Sequence, residues 1–165
     1  MVTSTVQAAA SAAVTAATVR DALRDVSDPE IPAISIMDLG IVERVEVPPD
    51  PARPIHVELL PTFVGCPAIA MIQSAVSERL AAFGREVEVE VSFSVPWTSD
   101  RISPAGLDAL RRSGFAPPAA TPDAVQCPYC DSGRVAMDSA FGPTLCRALY
   151  YCRDCRQPFE AFKAV

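Results

Sequence analysis

The chain has 165 residues, half of them hydrophobic, and a formal net charge of −6. That is enough for one ordinary core and one small satellite module, and not for a second full-sized domain. The acidic balance argues against sequence-independent binding to nucleic acid or to an anionic membrane, since both need Lys and Arg against phosphate, and it leaves proteins as the expected partners.

Residues 1–13 read as an Ala-rich disordered tail with no large side chain to anchor it. No Lys or Arg occurs before Arg20, so the basic region of a secretory signal is missing, and the stretch is too weakly apolar to span a bilayer. The expectation is a cytoplasmic protein, in which six cysteines point to metal or thiol chemistry rather than to disulfides.

From Val14, the residues Val19, Leu23 and Val26 recur at near-helical spacing, up to the stop at Asp28-Pro29. Asp28 to Pro32 is a stiff turn because its prolines fix φ, and Ser35 to Gly40 is a second turn. On spacing alone, Asp28 and Asp38 are turn and cap carboxylates. Ile41, Val45 and Val47 mark a first strand, and Ile55, Val57 and Leu59 a second, with the breaker run Pro48 to Pro51 making a hairpin of the two.

Leu60 to Ala68 is the corner where strand gives way to helix. Pro67 fits the first helical position, which makes Cys66 the expected N-cap. Helix N-termini lower a thiol's pKa, so Cys66 is the expected reactive thiolate, against the plainer reading of a small buried cysteine. Ile69, Ile72, Val76, Leu80 and Phe83 then form one stripe of a helix closed by Gly84. Glu86 to Val95 alternates apolar and polar, which predicts a half-covered strand of antiparallel type. A last helix starts at an N-cap Ser103, with Pro104 inside it, and ends at Gly114. The element order gives an α+β fold over residues 14–115, a small antiparallel or mixed sheet covered by helices. Residues 116–124 read as a proline-rich linker and 125–165 as a separate module.

That module holds Cys127-x-x-Cys130 and Cys152-x-x-Cys155, two knuckles whose four thiolates suit tetrahedral Zn²⁺; iron or a cluster on the same thiolates is the alternative. So small a module lacks the apolar area to fold without the metal, which makes it a structural zinc ribbon. Cys146 is left over, either a buried small residue or a spare ligand. From Cys127 onward, five basic residues stand against four acidic ones, so the ribbon has no basic face for nucleic acid. His56, the sole histidine, reads as a surface residue on the polar side of its strand.

Asp28-Pro29-Glu30-Ile31-Pro32, Asp38-Leu39-Gly40-Ile41-Val42, Thr62 to Pro67 and Pro96-Trp97-Thr98 resemble the domain family typified by the iron-sulfur assembly factor SufT. With Phe141 to Arg147 and Pro158-Phe159-Glu160 added, the chain resembles the PaaD subunit family of bacterial phenylacetyl-CoA epoxidase systems. The resemblance implies an accessory protein rather than an enzyme, one that helps supply iron or iron-sulfur centres to the reductase or oxygenase subunits in phenylacetate degradation. It implies a site of Cys66 with Asp28, Glu30, Asp38 and Thr62, suited to transient capture of iron or a cluster, for which a homodimer or a client protein would supply further ligands. The alternatives are a non-catalytic structural subunit of the oxygenase and a Cys66-dependent thiol enzyme.

Overall fold

A computed structural model describes residues 13–165; all but the last residue of the Ala-rich tail lie outside them. Helix α1 (Ala16–Leu23) opens the fold, capped by Thr15, whose side chain accepts from the Thr18 N–H while Thr18 returns the bond to the Thr15 N–H. It is shorter than the periodicity suggests at both ends. Val26 has already left the helix and accepts from the Ile36 N–H at 2.9 Å, beside a bridge between Ser27 and Ser35.

Strands β1 (Val42–Glu46) and β2 (Ile55–Leu59) form the expected antiparallel pair, with Ile55, Val57 and Leu59 pointing into the core. Helix α2 (Ile69–Leu80) crosses behind them, burying Ile72, Val76 and Leu80, each worth about 1.5–3 kcal/mol when fully removed from water. Strand β3 (Val87–Val91) then returns parallel to β2, the pairing that a helical crossover produces. The antiparallel expectation fails here because alternation reports only that one face is covered. The strand also stops at Val91, leaving Phe93 and Val95 exposed. Its partner ends at Leu59, and beyond that the chain turns away into the Cys66 corner, so there is no ladder left to extend. The sheet β1-β2-β3 is mixed, and the α+β class is borne out.

Helix α3 (Pro104–Arg112) begins as expected on the Ser103 cap, with the Ser103 side chain accepting from Gly106 N–H at 3.0 Å. The chain then enters β4 (Phe115–Ala116), which pairs parallel with β7 (Pro158–Phe162) of a second sheet ordered β4-β7-β6-β5, where β5 is Val135–Ser139 and β6 is Arg147–Cys152. Ala116, inside the stretch read as a linker, is thus a ladder residue of the ribbon sheet. Phe162 and Cys146 belong to the main core, where Phe162 packs against Trp97 with ring centroids 5.9 Å apart. Trp97 in turn donates its indole N–H to the Leu39 carbonyl at 3.0 Å. Among the described residues no helix is long and apolar enough to cross a membrane.

Gly40 closes the turn before β1 at φ +71°, and an added Cβ would overlap the Arg101 carbonyl and lie 2.7 Å from Arg101 Cβ. Gly84 has a similar φ, +66°, with open space around it. Gly84→Ala is therefore expected to cost about 1 kcal/mol of backbone strain, and Gly40→Ala about 3 kcal/mol or more, because the clash adds to the strain. Urea unfolding of the two zinc-loaded variants measures both; equal losses would mean that the close approach to Arg101 contributes nothing.

Candidate metal centre and thiol site

The two knuckles share one backbone design. The Cys127 N–H donates to the Ser132 carbonyl and the Cys152 N–H to the Gln157 carbonyl, each at 3.0 Å, which curls the chain around its pair of sulfurs. The residue after each second cysteine, Asp131 (φ 56°) and Arg156 (φ 59°), takes the left-handed conformation that closes so tight a turn. Cys127 and Cys155 Sγ are 3.6 Å apart, as are Cys130 and Cys152 Sγ, and all four sulfurs lie within 4.8 Å of one another. Four sulfurs at about 2.3 Å from a central Zn²⁺ would stand about 3.8 Å apart, so the donor set fits a tetrahedral zinc ion. The thiols are ill-matched without one: backbone N–H groups of Cys155 and Asp154 help draw Cys152 down to about 7, while desolvation and the neighbouring sulfurs push Cys155 up to about 12. A divalent cation holds all four as thiolates.

The other predicted site residues fall into two groups. Asp28, Thr62 and Cys66 line one small cavity together with Leu39, Leu60 and Ile72. Asp28 is buried, and its Oδ1 accepts from the N–H groups of Glu30 and Ile31 at 2.8 and 2.9 Å, which makes it the keystone of its turn as well as a wall of the cavity. Glu30 lies close enough for its charge to bear on Cys66, and its Oε2 is 3.3 Å from Arg147 Nη2. Asp38 stands apart from the cavity lining. Both its oxygens are occupied, each 2.7 Å from a hydroxyl, Ser35 on one and Ser103 on the other, and these bonds hold its carboxyl below the usual range. It is a brace between the second turn and α3. His56 pairs with Glu88 at 3.0 Å across β2 and β3 and does not line the cavity.

Cys66 itself departs from expectation. Helix α2 starts at Ile69 with Ala68 as its N-cap, so Cys66 precedes the cap by two residues. Pro67 and Ala68 form a turn ahead of the helix, closed by the Ile69 N–H donating to the Cys66 carbonyl at 3.4 Å, and the first α-type bond runs from the Ile72 N–H to the Ala68 carbonyl at 3.0 Å. The Ala68 N–H still points at the sulfur and favours thiolate, but burial outweighs it, and the negative charges of Cys146, Glu30 and Asp28 act in the same direction as burial. The thiol is pushed up from its ordinary value, not down. No sequence signal places Cys146 at this corner. It is 8% exposed, its sulfur 3.1 Å from Thr144 Oγ1, and burial raises its pKa too. Beside Cys66 the surface is apolar, with Val64 79% and Phe93 64% exposed along a groove that also includes Phe63 and Val95.

A mixed βαβ-containing sheet with a half-buried cysteine at the strand-to-helix corner, joined to a four-cysteine ribbon, defines a class of protein. Residues 16–93 match the family described as iron-sulfur cluster assembly protein, and residues 116–163 match the PaaD zinc beta ribbon domain. The chain is 36% identical over 150 residues to an Escherichia coli (strain K12) protein that bears the name of a 1,2-phenylacetyl-CoA epoxidase subunit, covering 87% of this chain and 89% of that one. The chain belongs to this PaaD family, as its motifs suggest. It is also 33% identical over 84 residues to the Bacillus subtilis (strain 168) Fe-S protein maturation auxiliary factor YitW, covering 50% of this chain and 79% of that protein. The crystal structure of a DUF59 domain from Bacillus anthracis superposes with a TM-score of 0.52 at 30% identity, over 58% of this chain and 90% of that one.

The ribbon is expected to hold about one zinc per chain, contributing on the order of 10 kcal/mol to its folding. Because Phe162 packs on Trp97, stripping the zinc with a chelator should disturb the main core as well, read as a shift in the emission of the single tryptophan. Protein carrying iron in place of zinc, or an unchanged emission after zinc removal, would contradict this. Alkylation by iodoacetamide should reach Cys66 before Cys146, slowly at neutral pH and faster as pH rises through 9, since both thiols are raised and Cys146 is the more buried. Rapid labelling of Cys66 at pH 7 would restore the helix-cap view.

Proposed function

We propose that this protein is an accessory subunit of a phenylacetyl-CoA epoxidase system in the cytoplasm, and that it matures the complex by delivering iron or an iron-sulfur centre to a reductase or oxygenase subunit. The observation that carries the reading is the cavity that unites Cys66 with Asp28 and Thr62 on the framework shared with iron-sulfur assembly proteins. A thiol that burial keeps protonated at neutral pH gives up its proton when a metal takes its place, which suits capture and release better than permanent storage. The exposed apolar groove beside Cys66 supports a protein recipient docking where the cargo would leave. The near-balance of charge in the ribbon, five basic residues against four acidic, supports a protein rather than a nucleic-acid partner. Asp38 contributes by fixing the turn that carries Leu39 into the cavity wall, and Glu30 by its charge beside Cys66.

Co-production of a Cys66→Ala protein with the other subunits of the system tests the proposal. The variant should fold, keep its zinc, and give an epoxidase about 10–100-fold less active, the range in which losing a group that supports a metal falls. The deficit should appear as missing iron or cluster in a client subunit. Fully metallated, fully active enzyme would sink the maturation role and favour a purely structural subunit.

A further inference from the structure

Lys163 is the only lysine of the chain, and its ammonium sits between two aromatic rings. It lies 5.9 Å from the ring of Phe63, on the Cys66 corner, and 5.4 Å from the ring of Phe141, on the ribbon loop between β5 and β6. It also donates to the Leu145 carbonyl at 2.9 Å, and among the described residues no carboxylate pairs with it. The loop that carries Phe141 is closed by its own bonds. The Phe141 N–H donates to Ser139 Oγ at 3.0 Å and the Gly142 N–H to the Arg147 carbonyl at 2.9 Å, in an arrangement that leaves Phe141 74% and Leu145 49% exposed. Through Lys163 this loop adjoins the apolar groove that Phe63 lines with Val64 and Phe93, and no Asp or Glu lines that groove. On a chain of net charge −6, two modules thus build one apolar patch with a single cation in it.

We infer that Phe141 and Leu145 of the ribbon loop, Lys163, and the groove of Phe63, Val64 and Phe93 form one docking surface, whose occupant is an apolar face of a client subunit with an Asp or Glu side chain at its centre. This rests on the maturation reading given above and extends it by stating the recipient's chemistry and giving the ribbon a part in choosing it. The lysine sets the requirement. A partner that covers the patch takes the ammonium out of water, and a cation so buried is costly unless a carboxylate meets it. A partner with Lys or Arg at that point would set like charges face to face. A second copy of this chain, meeting the patch with the same patch, would bring Lys163 to Lys163 and no carboxylate. The exposed rings supply contact area, and the lysine supplies the selection.

Binding of the zinc-loaded full-length protein to each purified reductase and oxygenase subunit, followed by calorimetry and by carbodiimide coupling, is the test. Carbodiimide joins an amine to a carboxylate in contact with it, and a chain with one lysine reports one side-chain position. One subunit should bind and couple at Lys163. Lys163→Arg should keep the affinity within about threefold and lose the coupling, whereas Lys163→Glu, Phe141→Ser and Phe93→Ser should each weaken binding at least about tenfold, with ribbon zinc retained. Tyr151→Ser, which removes an exposed aromatic outside the patch, should bind like the unmodified protein. Unchanged affinity in Lys163→Glu and Phe141→Ser, coupling between two copies of this chain in place of the client, or binding to none of the subunits would each overturn the inference. The two readings fail separately. If Phe141→Ser loses the client yet co-production still gives a fully metallated epoxidase, the docking surface stands and the maturation reading falls. Full affinity in the patch variants, with metal missing only in Cys66→Ala, removes the docking surface and leaves the maturation reading.

Discussion

The arrangement hinges on a buried cation. Arg147 joins Glu30 at 3.3 Å and Glu160 at 2.8 Å, donates from Nε to Thr144 Oγ1 at 2.8 Å, and lies 5.3 Å over the ring of Phe115. A guanidinium taken from water needs its charge and its donors matched, and here the partners come from the first turn of the main domain, the last strand of the ribbon and the strand after α3. Removing a partner from a buried pair typically costs about 3–5 kcal/mol, because an uncompensated charge stays behind. The two modules are therefore fastened at a point where neither can slip without stranding an ion. That fastening also fixes the neighbouring residue, Cys146, and turns Glu30 toward the thiol corner.

The same constraint explains why the ribbon is more than an appendage. Backbone bonds curl two knuckles around the sulfurs that would hold its zinc, the knuckles flank β6 and β7, and β7 carries Phe162 to Trp97. Trp97 then holds the Leu39 carbonyl, on the turn whose side chain walls the Cys66 cavity. The ribbon's cysteine cluster and the Cys66 corner are linked through packed side chains.

What could be read from the sequence was local. Ser103, Pro104 and Gly114 delimit α3 by cap chemistry, Ile55, Val57 and Leu59 declare β2 by alternation, and the cysteine spacing declares the zinc site. Cys66 was legible as a corner residue but not as a raised thiol, because its pKa follows burial by residues far along the chain. The parallel direction of β3 was hidden because an edge strand covered on one face alternates whichever way it runs. Asp38 and Asp28 looked alike as turn carboxylates, and only the fold separates the brace from the cavity wall. Cys146 and Phe162 gave no signal of joining the main core, nor Arg147 of reaching Glu30, since a contact across a module boundary leaves no period in the sequence.

The parallel pairing of β4 with β7 sets an order of events during synthesis. Phe115–Ala116 emerges from the ribosome well before its ladder partner, and Phe162 follows every cysteine of the ribbon. The nascent chain must wait for its core's final aromatic until the four ligands are already outside and free to take up metal. A zinc ion on those four cysteines would thus be taken up before the completion of a domain that holds none of them, and a chain still short of Phe162 would carry an open hydrophobic flank at Trp97.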